Sequence, residues 1–349
     1  MTATDLRRLG AALILGAAGG ALFARAGLPL PWMLGAMTAT IAGSMSGWPL
    51  AVPDRLRFPM LGVLGVLLGS GFTADVAAGM VRWIGSIAAL PLYILAAIGV
   101  GLLFLRRVAR LDPVSAYFAA APGGLSEMTI LGERAGGDLR TISLIHSTRI
   151  FAVVFAVPFI VRGLESSVPV ALPADGPPAA VLDLLFLAGC LAIGLWLAPR
   201  LRLPVPFLLG PLLLSAAAHV TGLVTVAPPR LIVILAQVVI GASLGCRFNG
   251  LRLARISHLL AIGALLGLLL LGVAAAIAGL LNPLVDAGYV ALLLAFSPGG
   301  IAEMGIVAVA LGIDPLFVAT HHVIRISLVV VIAPWLYRRR SSRSPGDAR

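Results

Sequence analysis

The chain has 349 residues, 60% of them hydrophobic and only 11% charged, with a mean hydropathy of +1.07 and a formal net charge of +11. Soluble domains carry about 25% charged residues, so 25 basic and 14 acidic side chains cannot clothe a water-soluble surface of this size. The chain reads as an integral membrane protein. All 25 basic residues are Arg, and most cluster between apolar runs, which suits cytoplasmic loops and not a DNA-binding face.

In chain order the first half offers apolar segments at 9–26, 31–46, 56–73, 83–105, 113–131 and 140–161. The second half offers 181–199, 205–222, 230–247, 257–281, 287–311 and 316–337. Each has the length of a bilayer span or of a re-entrant piece. The first follows Asp5, Arg7 and Arg8 in the manner of a signal peptide but runs on into further spans, so it reads as a retained transmembrane helix. Residues 162–180 are Pro-rich and read as a linker, and the polar run from Arg338 reads as a disordered tail. The predicted organisation is a first membrane repeat over 1–161, the linker, a second repeat over 181–337, and a cytoplasmic tail over 338–349. Cys190 and Cys246 lie in apolar stretches without CxxC spacing, which argues against a disulfide framework or metal site.

The halves repeat each other. APGGLSEM at 121–128 matches SPGGIAEM at 297–304, an offset of 176 that also pairs Asp138 with Asp314, His146 with His322 and Arg149 with Arg325. Upstream, LPLPWMLG at 28–35 matches LPVPFLLG at 203–210 at an offset of 175. Ordered matches of this kind mark an internal duplication. Arg7, Arg8, Arg55, Arg57, Arg106, Arg107 and Arg110 fall on one set of alternate loops in the first repeat. Arg200, Arg202, Arg247, Arg252 and Arg255 fall on the other set in the second. Under the positive-inside rule the repeats therefore have opposite orientations, with about five net crossings each. The fold expected is an all-α membrane protein of two inverted-topology repeats, with both termini inside.

An odd number of crossings requires one incomplete segment per repeat. The fifth is the candidate, broken at Pro122, Gly123 and Gly124 and again at Pro298, Gly299 and Gly300. Broken backbone at membrane depth must be protected by protein or water, and a helix restarting there aims unpaired N–H groups at the gap. Glu127 and Glu303 each follow the break by three residues. They read either as carboxylates that bind a proton or cation or as caps of the new half-helix. Arg149 and Arg325 lie deep in the last segment of each repeat, with His146 and His322 three residues earlier on the same helical face. One reading is an anion clamp with a titrating neighbour. The other is a permanent Glu–Arg pair between helices. His321 next to His322 points to another face, so the two are not metal ligands. Asp138 and Asp314 read as helix caps, and the spacing of Gly62, Gly65 and Gly69 as close helix packing.

No Walker A loop, GxSxG elbow, CxxC or HExxH is present, so neither an ATP-driven pump nor a hydrolase is supported. The paired PGGxxEM motifs, the LPxPxxLG elements and the duplicated layout resemble the Gram-negative AbrB-type membrane protein family over nearly the whole chain. Members are labelled membrane regulators of gene expression or ammonia monooxygenases. The resemblance thus implies a sensor or an oxidoreductase as alternatives, though a copper site would require an imidazole cluster that five scattered His do not supply. The layout is also similar to transporters with five-helix inverted repeats and interrupted helices.

The function expected from these residues is secondary transport of a small solute, anionic in one version, coupled to a proton or cation. The site comprises Pro122, Gly123, Gly124, Glu127, His146, Arg149, Pro298, Gly299, Gly300, Glu303, His322 and Arg325, between the repeats. No catalytic residue, metal or cofactor is expected. The bacterial inner membrane is the expected location and the lipid bilayer and a small solute the expected partners; a homodimer is allowed and no direct nucleic-acid contact is expected.

Overall fold

Proline and glycine set the helix boundaries. The computed structural model describes residues 3–72, 79–164, 180–250 and 253–341, and every regular element among them is helical. The first half contains α1 (Ala3–Arg25), α2 (Pro31–Met45), α3 (Asp54–Gly69), α4 (Ile84–Ala88), α5 (Leu90–Arg107), α6 (Pro113–Ala120), α7 (Leu125–Arg134) and α8 (Leu139–Leu164). The second contains α9 (Val181–Arg200), α10 (Pro206–Val220), α11 (Arg230–Gly245), α12 (Leu253–Leu281), α13 (Tyr289–Phe296), α14 (Ile301–Ala310) and α15 (Pro315–Ser341). Short 3₁₀ turns precede α4 at Met80–Trp83 and follow α11 at Cys246–Phe248.

Seven stretches among the described residues are long and apolar enough to cross a bilayer: Thr4–Arg25, Met80–Arg107, Leu139–Leu164, Val181–Arg200, Arg230–Phe248, Ser257–Leu281 and Pro315–Arg339. The protein is a multi-pass, all-α membrane protein. Both fifth segments are interrupted, the first between α6 and α7 and the second between α13 and α14. The expected linker starts later than its composition suggests, because α8 continues to Leu164, and 165–179 lie outside the described residues. The expected tail begins as helix: α15 runs to Ser341, with the Arg339 guanidinium 4.0 Å from the Trp335 ring centroid. Cations suit a helix C-terminus, which favours this last turn. Residues 342–349 lie outside the described residues.

The helices gather into two compact units, each drawing on both halves of the chain. One comprises Met1–Val81, Val154–Ile256 and Ala302–Ala319; the other comprises Arg82–Val153, Ser257–Ile301 and Thr320–Arg349. In the first unit, α1 and α2 cross at Gly19 and Gly35, where a Cβ on either would fall onto the other's carbonyl. α9 and α10 cross as closely at Gly194 and Gly210, where a Cβ on Gly210 would fall onto the Gly194 carbonyl and one on Gly194 onto the backbone at Gly210 and Pro211. Gly65 of α3 lies against the Leu208 carbonyl of α10, as Gly241 of α11 lies against the Met33 carbonyl of α2. Small residues thus let backbones meet where lipid gives no hydrophobic drive for association. The Ser215 hydroxyl adds a bond to the Val66 carbonyl at 2.9 Å.

The LPxP elements that start α2 and α10 carry an unusual backbone. Leu30 (φ 45°) and Val205 (φ 46°), each immediately before the first helical proline, adopt the left-handed conformation. Non-glycine residues rarely do so, β-branched ones least of all.

In the second unit, the Tyr117 hydroxyl of α6 donates to the Ala333 carbonyl of α15 at 2.8 Å. α12 packs on α8 through Gly263, against Thr148 and Ile145, and through Gly267, against the Arg149 backbone.

Candidate functional site

An α-helix ends with carbonyls that have no partner in the helix, and inside apolar protein they need one. α6 stops at Ala120, ahead of Pro122, because proline has no N–H to continue the ladder. The exposed carbonyls are met by α8. His146 Nε2 lies 2.9 Å from the Phe118 carbonyl, and Arg149 Nη1 donates to Ala121 at 3.0 Å and Ala119 at 3.4 Å. Arg149 Nη2 also reaches His146 Nδ1 at 2.9 Å.

The second half repeats this at the end of α13. His322 Nε2 lies 2.9 Å from the Leu294 carbonyl. Arg325 Nη1 donates to Ser297, while Nη2 donates to Gly299 at 3.0 Å and reaches His322 Nδ1 at 3.3 Å. All four side chains are buried. Guanidinium can only donate and carbonyl can only accept. Each imidazole must therefore accept at Nδ1 and donate at Nε2, which leaves it the neutral Nε2–H tautomer. A ring locked from both sides is a brace and not a titrating neighbour. Each arginine likewise gives two of its hydrogen bonds to backbone carbonyls. Among the described residues no carboxylate oxygen lies within 4 Å of either guanidinium, so the Glu–Arg pair weighed from sequence is replaced by an Arg–carbonyl brace.

A side chain would be crowded at Gly123 and, at Gly124, would displace a flexible carboxylate. A Cβ on Gly123 would stand 2.9 Å from Met128 Cγ and Val329 Cγ1, and one on Gly124 would fall onto Glu127 Oε2. The Glu127 carboxylate therefore lies close to Gly124, in the first turn of α7. Pro122, Pro298 and Gly299 are buried, and Gly300 is partly so. Glu303, in the first turn of α14, is 8% exposed, and the cations whose fields reach it are Arg247 and Arg57.

Sequence reasoning passed over Tyr93. It is fully buried in α5, its ring meets Phe296 edge-on at 5.6 Å, and its hydroxyl has no hydrogen-bond partner. It lies within electrostatic reach of both Arg149 and Arg325, which also feel each other. The available signal was a tyrosine well inside an apolar run, where membrane proteins usually keep tyrosine at the interface.

His321 meets the Ser86 hydroxyl at 2.9 Å, on a different bearing from His322. Among the described residues no group of three or more His, Cys, Asp or Glu side chains could hold a metal ion, and both cysteines are free. Asp138 caps α8, accepting from the backbone N–H groups of Arg140 and Thr141 at 3.1 Å and from the Thr141 hydroxyl. That hydroxyl, helped by the two N–H groups, holds the Asp138 carboxyl below the ordinary aspartate value. Asp314 caps α15 through the Leu316 N–H at 2.9 Å.

Residues 4–341 match the family model described as "Transition state regulatory protein AbrB". The chain is 28% identical over 351 residues to "Uncharacterized protein YhjN" of Bacillus subtilis (strain 168), covering 93% of this chain and 91% of that protein. It is 25% identical over 322 residues to "Putative regulator AbrB" of Escherichia coli (strain K12), covering 91% and 92% respectively.

Proposed function

The chain belongs to the AbrB family, and on that premise we propose that this multi-pass membrane protein is a secondary transporter of a small anionic solute. The observation that carries the reading is the pair of interrupted helices. Two helices stop inside apolar protein, and four buried side chains are devoted to holding their open ends. Non-helical backbone at membrane depth is tolerated where it lines a cavity or is buried in protein, and broken helices in duplicated folds surround substrate and ion sites.

The two repeats, in opposite orientations, form the site where α6 and α13 break. Glu127 and Glu303 exchange the coupling proton or cation at the starts of α7 and α14, while Arg149 and Arg325 supply fixed positive charge. The location is the bacterial inner membrane, with both termini cytoplasmic, and no covalent chemistry is involved. The test is flux in proteoliposomes holding purified protein, with Glu127→Gln and Glu303→Gln alongside. Solute-dependent proton flux that both substitutions abolish, with folded protein still present, is the expected result. Unchanged flux in both variants refutes the role given to the carboxylates.

A second reading draws on the name of the Escherichia coli relative, a regulator. The same site would then sense a solute, with binding but no net flux, and the change would pass to gene expression through a partner.

A further inference from the structure

Two arginines are buried in the second unit within electrostatic reach of one another, and neither has a carboxylate within 4 Å among the described residues. What faces them instead is helix backbone. The C-terminus of a helix carries about half a negative charge, so the ends of α6 and α13 together offset about one of the two positive charges. About one unit of positive charge is left. Uncompensated charge in a low-dielectric interior is strongly unfavourable, and a single negative charge is its natural complement.

The unused hydrogen-bond donors agree with this. Arg149 Nε and Arg325 Nε are buried without partners, although every other guanidinium nitrogen is engaged. The Tyr93 hydroxyl is also buried without a partner, and its ring packs on Phe296, the residue before the Ser297 whose carbonyl accepts from Arg325. The two Nε–H groups can only donate, and the Tyr93 hydroxyl can donate as well as accept, so a ligand rich in acceptors answers all three. A planar oxyanion does so with two oxygens, and guanidinium is the side chain that matches it best.

We propose that Tyr93, Arg149 and Arg325 form a binding site for a small monocarboxylate. The assignment of that anion as the transported solute rests on the transporter reading; the binding site itself does not. Tyr93 takes its place as a specificity residue, because its hydroxyl adds a hydrogen bond that a spherical ion uses less well than a carboxylate oxygen.

The experiment is thermal unfolding and calorimetric titration of the full chain in detergent. Acetate, propionate and lactate are the probes, with chloride and sulfate as comparisons at constant ionic strength. Saturable stabilisation by a monocarboxylate is expected, with chloride and sulfate weaker. Tyr93→Phe keeps the ring against Phe296 and removes only the hydroxyl, so its unliganded midpoint should equal that of the natural chain. Its monocarboxylate affinity should fall about tenfold, the loss of one hydrogen bond to a charged group. The proposal is overturned if no monocarboxylate binds, if chloride binds as well, or if Tyr93→Phe binds like the natural chain. An unliganded Tyr93→Phe that is clearly destabilised also overturns it, since the hydroxyl would then have a partner in the fold. Binding without flux in proteoliposomes would leave the site standing and remove the transporter reading alone.

Discussion

Replacing His146 separates a brace from a titrating switch. The ring fills two bonds at once, donating to the Phe118 carbonyl at 2.9 Å and accepting from Arg149 Nη2 at 2.9 Å. His146→Phe retains a ring of similar size and removes both bonds. A buried group left unpaired costs about 1–3 kcal/mol, more when charged. The Phe118 carbonyl and one guanidinium N–H together thus cost about 2–6 kcal/mol. His146→Gln offers an amide oxygen to the arginine and an amide N–H to the carbonyl, so it should recover at least half of the loss. His322, with the same two bonds to Leu294 and Arg325, should behave in parallel, and less severely because its arginine contact is longer.

The assay is unfolding of the purified protein in mixed micelles, scanned by detergent titration at several pH values between 5 and 8. A brace predicts that the natural chain and His146→Gln have parallel pH profiles, offset by a constant amount, because a ring bonded at both nitrogens has no free site for a proton. The reasoning is refuted if His146→Gln is as unstable as His146→Phe. It is equally refuted if the Gln variant erases a pH dependence that the natural chain shows.

Two further outcomes follow from the packing and the caps. Gly35→Ala and Gly210→Ala each drive a methyl onto a backbone carbonyl across a helix crossing. Overpacking of this kind costs about 1–3 kcal/mol, whereas Gly163→Ala, with open space around it, should be neutral or slightly stabilising; comparative thermal midpoints test the contrast. Asp138→Ala removes a helix cap worth about 0.5–2 kcal/mol. Because the folded carboxyl sits below its ordinary value of 3.8, its contribution is full above that value and is lost as pH falls through the lower, folded one. The difference between Asp138→Ala and the natural chain should therefore hold from neutral pH down to about 4 and shrink on further acidification. A difference that grows towards acid pH would contradict the sign.

Much of this arrangement is legible in local sequence because its causes are local. Pro31 and Pro206 start helices because a helix's first turn tolerates a missing N–H, and the Pro-Gly-Gly elements stop α6 and α13 for the same chemical reason. The shared face of His146 and Arg149 follows from a spacing of three. What those side chains touch does not follow, because the partners lie 28 residues upstream and are fixed by how α8 lies against the end of α6. Spacing rules speak of charge meeting charge, so they nominated Glu for Arg. The fold supplies helix carbonyls, which no composition records. Tyr93 escaped for a related reason: its significance rests on having no partner, a property of its three-dimensional surroundings. The two compact units escaped too, since each takes segments from both halves of the duplication.

The duplicated left-handed residues before Pro31 and Pro206 allow strain to be weighed against burial with one chemical change. Holding an L-residue in this conformation costs roughly 1–2 kcal/mol, which glycine avoids. Glycine in turn gives up roughly 0.5–1 kcal/mol through the greater freedom of the unfolded chain. The backbone balance at Leu30 and Val205 is therefore the same and slightly favours glycine. The side chains differ: Leu30 is 1% exposed, while Val205 is only partly buried. Removing a buried leucine costs about 2–5 kcal/mol, so Leu30→Gly should be destabilising by most of that amount. Val205→Gly should fall within about 1 kcal/mol of the natural chain, since the burial it loses is a fraction of the 1.5–3 kcal/mol of a full side chain. Unfolding measurements on the two variants decide it. A loss at Val205→Gly well above about 1 kcal/mol would mean that the φ of 46° carries no strain for glycine to relieve and that the LPxP elements are conventional helix starts. The predicted inequality would mean that valine persists at a position where glycine costs little. Backbone strain kept without a stability return is a mark of positions that serve a functional movement or contact, and flux through Val205→Gly proteoliposomes is then the direct measure of what that conformation does.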